Sequence, residues 1–116
     1  MSKYMQIDIK IVPFYKGGFS KCFPRIFEFC KKVGYGAYVV KDKTLYELVD
    51  ILESMVKNDS VPEDYRKEFQ PYYQKAMDIK KEAREMLLSR KLNELDSLLY
   101  RLEDLFEDLD REIDYW

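Results

Sequence analysis

The segment from residue 69 to residue 116 carries the strongest pattern in this sequence. Its apolar residues recur at intervals of three and four, which places them on one side of an α-helix. Continuing the first part of this pattern would reach Arg90, Glu94 and Ser97, which are polar, so the second part is offset around the helix. The pattern therefore predicts two helices that break near residues 89–91 and fold back as an antiparallel hairpin. The first stripe is Phe69, Tyr72, Tyr73, Ala76, Ile79, Ala83, Met86 and Leu87, and the second is Leu92, Leu95, Leu98, Leu99, Leu102, Leu105, Phe106, Leu109, Ile113 and Trp116.

Each helix of the predicted hairpin needs another surface to cover its apolar side. The partner helix, the N-terminal part of the chain and a second copy of the chain are the three candidates. Chain ends usually fray, yet the second stripe continues to the last residue, which predicts that this end is docked. We therefore predict a partner interface on the second helix, at Leu102, Phe106, Leu109, Ile113 and Trp116.

The N-terminal half predicts two strands joined by a helix. Residues 5–11 alternate between apolar and polar side chains, which is typical of a strand with one solvated face. Residues 35–40 are apolar with almost no alternation, which favours a strand covered on both faces. Between them, apolar residues at helical spacing over 23–33 predict a helix that ends at Gly34. Strands joined in this way are parallel, and two strands alone are marginal in water, so we expect another chain to extend the sheet.

Two sequence signals predict where further helices begin. Thr44 and Glu47 have the spacing of a capping box, and the residues after Thr44 are periodic as far as Val56. The stretch 60–63 has the same spacing with a proline in the first turn. Pro71 then predicts either a kink or a division into two helices.

These elements predict an α+β fold in a single domain of 116 residues. A β-α-β-α unit with a short parallel sheet would occupy residues 1–57, and it would pack against the helical hairpin of residues 61–116. With 47% hydrophobic and 36% charged residues, the composition argues against a membrane protein and against a disordered one. The first residues lack the apolar core of a signal peptide. We therefore expect a cytoplasmic protein that does not contact a membrane.

The residue types present argue against an enzyme. The sequence has no histidine, which removes the usual general base near neutral pH and most zinc sites. Cys22 and Cys30 are too few for a disulfide framework, so we expect buried free thiols, with an intermolecular disulfide as the alternative. We predict no catalytic residues, no metal and no cofactor. The many charged residues and few amides resemble the composition of thermophile proteins.

Charge is distributed unevenly along the chain. Residues 1–43 contain nine basic and three acidic side chains, a balance of +6, whereas residues 92–116 contain nine acidic and two basic ones, a balance of −7. Such asymmetry can mark a basic surface for an acidic partner, or two ends of one chain that attract each other. Glu103, Asp104, Glu107 and Asp108 belong to this acidic end. Paired carboxylates can bind Mg²⁺ or Ca²⁺, but these flank the apolar stripe, and we interpret them as a solvated face.

The glycine pair at residues 17 and 18 is the best candidate for a ligand site. A glycine turn before a helix N-terminus can bind an anion, although this one lacks the spacing of the known phosphate-binding motifs, and a plain turn explains it as well. The candidate residues are Lys16, Gly17, Gly18, Ser20, Lys21 and Arg25. Nucleic-acid binding would use the lysines and Arg25 of residues 10–32 for phosphates, and Tyr15, Phe19 and Phe29 for base stacking.

The sequence favours a non-enzymatic module that self-associates or binds a partner protein. Its basis is the long apolar stripe together with an incomplete two-stranded sheet. A homodimer is the expected assembly. The alternative is nucleic-acid or small-anion binding through the basic N-terminal third, against which stands the acidic character of the whole chain, with a pI near 5.3.

Overall fold

The computed structural model describes residues 10–113, and every regular element within that range is a helix. The helices are α1 (Phe19–Cys22), α2 (Pro24–Lys32), α3 (Gly36–Val39), α4 (Leu45–Val56), α5 (Glu63–Leu88) and α6 (Leu92–Ile113). None of them is long and apolar enough to cross a membrane. The long helices α5 and α6 form the frame on which the shorter helices pack.

The predicted helical hairpin is confirmed, and so is the position of its break. The N–H of Lys91 donates to the carbonyl of Met86 at 2.8 Å, and the N–H of Arg90 donates to the carbonyl of Leu87 at 3.2 Å. These two bonds form a Schellman motif, which satisfies the last carbonyls of a helix. Arg90 adopts the left-handed conformation, with φ 57°. The chain therefore reverses at residues 89–91, as the offset between the two apolar stripes predicts.

Helix α5 runs continuously through Pro71. Pro71 is exposed, so the carbonyl that loses its helical donor there lies where water can reach it. The capping box predicted at residues 60–63 is wrong, because the N-cap of α5 is Pro62 and no side chain caps it. Instead, the N–H of Ser60 donates to Oδ1 of Asn58 at 2.9 Å, and the chain turns before the helix begins.

The predicted α+β class is wrong for the part of the chain that the structure describes. The predicted second strand, residues 35–40, contains the helical turn α3, and no sheet is present in residues 10–113. Of the predicted first strand, residues 5–9 lie outside the described range, and residues 10 and 11 belong to neither a helix nor a strand. The β-α-β-α unit with a parallel sheet is therefore contradicted.

The physical reason for this error lies in the residues around Gly34. The N–H of Tyr35 donates to the carbonyl of Cys30 at 2.6 Å, and Gly34 has φ 89°. This Schellman motif ends α2 at the predicted glycine. The residues that follow it form the helical turn α3 and not an extended strand. Tyr35 and Val39, four residues apart, are then buried, as expected for a helical face. A short apolar run does not distinguish a strand from a helical turn by its periodicity.

The predicted capping box of α4 is confirmed. The N–H of Glu47 donates to Oγ1 of Thr44 at 3.0 Å, and the Glu47 side chain accepts from the backbone of Thr44. Helix α4 then packs on α5, where Nζ of Lys80 lies 2.8 Å from Oδ1 of Asp50. The largest fully buried side chains come from several helices and from the loop between α4 and α5, and they form one core. They are Phe69, Phe106, Met55, Leu102, Leu109, Val49, Val61 and Cys30.

Candidate functional site

The glycine turn that was predicted as an anion site is occupied by a carboxylate of the same chain. The N–H of Gly18 donates to the carbonyl of Tyr15 at 3.0 Å, which closes a β-turn over residues 15–18. Gly17, the third residue of this turn, has φ 85°, a backbone conformation that favours glycine. The next N–H, that of Phe19, donates to Oδ1 of Asp42 at 3.0 Å. The glycines therefore reverse the chain and present a backbone donor to Asp42.

The other residues predicted for this site do not converge on a shared point. Lys16, Ser20 and Lys21 are exposed. The aliphatic part of Lys21 lies over Gly17, where an added Cβ would be 2.6 Å from Lys21 Cδ. Nη1 of Arg25 lies 3.5 Å from Oδ2 of Asp110 on α6. The cluster thus combines surface lysines with an arginine that is held by another helix.

Asp110 is the residue that ties the basic third of the chain to the acidic helix. Its Oδ1 accepts from the N–H of Arg25 at 3.0 Å and from the N–H of Ile26 at 2.9 Å. Asp110 is buried, and it satisfies donors at the N-terminus of α2, where negative charge is favoured. One acidic residue of the C-terminal helix therefore binds the basic N-terminal third within the same chain.

Two of the three aromatic residues proposed for base stacking are unavailable for that role. Phe19 and Phe29 are buried in the core. The ring of Phe29 lies 5.0 Å from the ring of Phe69. Of the nearby lysines, Lys32 donates to the hydroxyl of Tyr65 and Lys31 pairs with Glu28 at 3.7 Å.

Most of the side chains predicted as a partner interface lie inside the chain itself. Leu102, Phe106 and Leu109 are each 1% exposed. Ile113 is half-buried, and Trp116 lies outside the described residues. Leu102, Phe106 and Leu109 are thus covered by the same chain, and an interface has to use residues that remain exposed.

One exposed apolar surface lies where the N-terminal segment meets α4 and α6. Residues 11–15, residues 44–46 and three residues of α6 enclose a pocket of about 200 Å³, which we call the groove. The three residues of α6 are Leu99, Leu102 and Glu103. Phe14 is 91% exposed and Val12 is 69% exposed at its edge. Few side chains gain as much as Phe14 from removal from water.

Hydrogen bonds and ring contacts hold part of the groove wall. The ring of Tyr15 meets that of Phe19 edge-on at 5.4 Å, and its hydroxyl donates to the carbonyl of Lys43. Thr44 is held by the capping box of α4. On the α4 side, Nζ of Lys80 lies 4.6 Å from the centre of the Tyr46 ring. A preformed surface loses little conformational freedom when a partner binds.

Glu103 gives the groove a negative charge. Partial burial in the groove wall raises the pKa of this carboxyl above its ordinary value, and the carboxylates of Glu107, Asp104 and Asp96 raise it further. Burial, followed by the charge of Asp42, also raises the pKa of the Tyr15 hydroxyl. The groove is therefore an apolar surface with a local excess of negative charge, which favours a cation beside an apolar group.

A second exposed apolar surface follows α3. Tyr38 is 54% exposed and Val40 is 71% exposed. Lys41 comes next and is also exposed, with no ion pair to any residue in the range 10–113. We call Tyr38, Val40 and Lys41 the α3 patch. It combines apolar side chains with a positive charge, whereas the groove combines them with a negative charge.

Tyr35, close to the α3 patch in the chain, is bound to α4 and to the residues that follow α4. The hydroxyl of Tyr35 lies 3.0 Å from Oγ of Ser54 and accepts from Nδ2 of Asn58 at 2.9 Å. The rings of Tyr35 and Tyr38 lie 5.5 Å apart. Val39 is buried between the exposed residues. The patch is therefore supported by the core rather than carried on a free loop.

The described residues contain no cluster suited to metal binding. No three His, Cys, Asp or Glu side chains are grouped around a possible metal position in the range 10–113. Cys30 is a buried free thiol, as predicted, whereas the prediction of burial is wrong for Cys22, which is an exposed free thiol. Burial raises the pKa of the Cys30 thiol to about 12.

Neither the groove nor the α3 patch was predicted as a site from the sequence. Residues 12–14 follow the predicted first strand and belong to no helical stripe, and residues 38–40 were assigned to a buried strand. For the groove, the available signal was that Val12 and Phe14 are apolar residues that no predicted element covers. No protein-family model matches this chain, and neither a curated protein nor a solved structure shows significant similarity to it.

Proposed function

We propose that this protein is a non-enzymatic module that self-associates through the groove. The observation that supports the proposal is the exposure of Phe14 and Val12 beside a preformed apolar pocket. Single exposed apolar residues are common on protein surfaces, but exposed apolar residues that line the same pocket are typical of interaction sites. A large aromatic side chain at the centre of an interface often contributes a major part of the binding energy.

Sedimentation over a range of protein concentrations tests this proposal. We expect the wild-type chain to form a dimer at micromolar concentration and Phe14→Ser to weaken dimerisation at least tenfold. Leu88→Ser is the matched control, because Leu88 is also an exposed apolar residue but lies at the far end of α5. A chain that remains monomeric at every concentration, or equal losses in the two variants, would contradict the proposal.

A cytoplasmic location is part of the same proposal. Cys22 and Cys30 form no disulfide with each other, which is compatible with the reducing cytosol. The exposed thiol of Cys22 would be open to oxidation in an oxidising compartment. Fractionation of cells that produce the protein, followed by detection in the soluble cytosolic fraction, is the corresponding measurement.

A further inference from the structure

We infer that the groove of one copy receives the α3 patch of a second copy, so that Lys41 of the second copy lies beside Glu103. The inference rests on the self-association proposed above and names the two surfaces that meet. It starts from two exposed apolar surfaces in one chain that carry opposite charges. The occupant of the groove is thus a second copy of this chain.

The apolar parts of the two surfaces are suited to each other. The groove is concave and lined mainly by apolar side chains, whereas Val40 and Tyr38 are exposed side chains at the end of a short helix. Lysine can bury its aliphatic stem along an apolar wall while its ammonium group reaches a polar position. Val40 followed by Lys41 therefore offers the groove an apolar group and a neighbouring cation.

Charge complementarity indicates which residues of the two surfaces meet. Glu103 has Asp96, Asp104 and Glu107 as electrostatic neighbours on α6, so this face of the helix attracts a cation. Lys41 forms no ion pair with a carboxylate among residues 10–113 of its own chain. Lys31, by comparison, already has Glu28 as a partner. Contact between the groove and the α3 patch relieves repulsion among the carboxylates and pairs an unpaired lysine.

The positions of the two surfaces permit a closed dimer. Lys41 precedes Thr44 of the groove wall by three residues, which limits the chain between them to roughly 10 Å. The N–H of Phe19 and the hydroxyl of Tyr15 hold this connecting stretch through Asp42 and Lys43. A two-fold axis beside it lets each copy insert its patch into the groove of the other, so that the contact is made twice.

A charge exchange tests the pairing. We expect Glu103→Lys and Lys41→Glu each to weaken dimerisation at least tenfold in sedimentation, and the double variant to restore most of the wild-type affinity. Both side chains are exposed, so the variants should fold, and circular dichroism checks this. Lys31→Glu combined with Glu103→Lys is the control, and it should restore nothing. If the wild type dimerises but the Lys41→Glu, Glu103→Lys double variant does not recover, the pairing is wrong while self-association stands.

Mixing two variants gives an independent test. Phe14→Ser damages the groove and Val40→Ser damages the patch, so each variant alone should be largely monomeric. An equimolar mixture retains one intact contact per mixed dimer, and we expect a heterodimer weaker than the wild-type dimer but stronger than either variant alone. A mixture that stays monomeric overturns the inference. If the wild type itself is monomeric, the proposed function fails and this inference fails with it.

Discussion

The two ends of the helical hairpin look alike in sequence but differ in what covers them. At the end formed by residues 63–79 and 102–113, which we call the base, other helices pack on both members of the hairpin. The ring of Phe29 on α2 lies 5.0 Å from the ring of Tyr65 and 5.0 Å from that of Phe69. The ring of Phe23 meets that of Phe106 at 6.5 Å, and Asp110 binds the N-terminus of α2.

At the other end, residues 83–98 form the tip, where α5 and α6 cover each other. Leu88 is 74% exposed and Leu92 is 52% exposed there. Helix α5 has 26 residues and α4 has 12, so at 1.5 Å per residue their lengths are about 39 and 18 Å. The shorter helix therefore covers less than half of the longer one. Apolar periodicity shows where a helix has an apolar side, but it does not show how far along the helix a cover extends.

The largest difference between base and tip should appear when a buried aromatic ring is removed. Phe106→Ala should lower the free energy of unfolding by about 3–5 kcal/mol, because it leaves a cavity among several helices. Leu92→Ala at the tip should change it by less than about 0.5 kcal/mol, since the side chain is half in water already. Urea denaturation of both variants provides the measurement. Similar losses in the two variants would show that the tip is as tightly packed as the base.

The next largest effect should come from the carboxylate that joins α2 to the base. Asp110→Ala removes the acceptor of two backbone N–H groups and an ionic partner of Arg25. We expect a loss of about 1.5–3 kcal/mol, the usual range for hydrogen bonds to a charged group. Asp110→Asn keeps one carbonyl oxygen at the same position and should lose less. Thermal unfolding compares the variants, and equal melting temperatures for wild type and Asp110→Ala would show that this link contributes nothing.

Local signals in the sequence predicted much of this fold because they depend on neighbouring residues. The break at residues 89–91, the capping box at Thr44 and the glycine that ends α2 all involve residues within about one turn of each other. The contact between Asp110 and Ile26 spans 84 residues, and no local pattern reports it. Asp42 at the glycine turn was missed for the same reason. The groove depends on three separate segments, so its walls became visible only when the helices were assembled.

The false prediction of a strand at residues 35–40 has a related cause. A run of six residues, five of them apolar or aromatic, is compatible with a strand as well as with a helical turn when the surface that covers it is unknown. The deciding interaction is the bond from Tyr35 to Cys30 after Gly34. Gly34 was identified as a helix end, but the helical turn that follows its Schellman motif was not predicted.

A smaller effect should appear at two helix ends that share a motif but differ in residue, one on α2, which packs on the base, and one at the tip. Gly34 ends α2 with φ 89°, and Arg90 ends α5 with φ 57°. A left-handed conformation costs a non-glycine residue roughly 1 kcal/mol. Gly34→Ala should therefore lower the free energy of unfolding by about 1 kcal/mol, and no neighbour lies within 4 Å of the added Cβ to complicate the result. Arg90→Gly should raise it by up to about 1 kcal/mol. Urea denaturation measures both, and changes of the same sign would contradict the argument.

Thiol reactivity sharpens the comparison without changing the fold. Burial raises the pKa of Cys30 to about 12, so little thiolate is present at pH 8, whereas Cys22 is exposed. A thiol reagent should label one cysteine per native chain quickly and the second only after unfolding. Because the folded-state pKa is the higher one, the contribution of Cys30 to stability is complete below the ordinary thiol pKa and is lost as pH rises toward 12. Rapid labelling of two thiols in the native protein would show that the core around Cys30 opens readily.

The smallest expected effect concerns the glycine turn and the alternative function of anion binding. The N–H of Phe19 already donates to Asp42, as the N-terminus of α2 donates to Asp110. Phosphate would have to displace a carboxylate of the chain, so we expect phosphate, sulfate and nucleotides to leave the melting temperature unchanged. Lys21→Ala should alter stability by less than about 0.5 kcal/mol, as is usual for a surface position. If the turn did bind phosphate, a concentration of 100 times the dissociation constant would stabilise the fold by about 2.7 kcal/mol. That gain would shrink in Lys21→Ala, and a thermal scan of both proteins with and without phosphate separates the two outcomes.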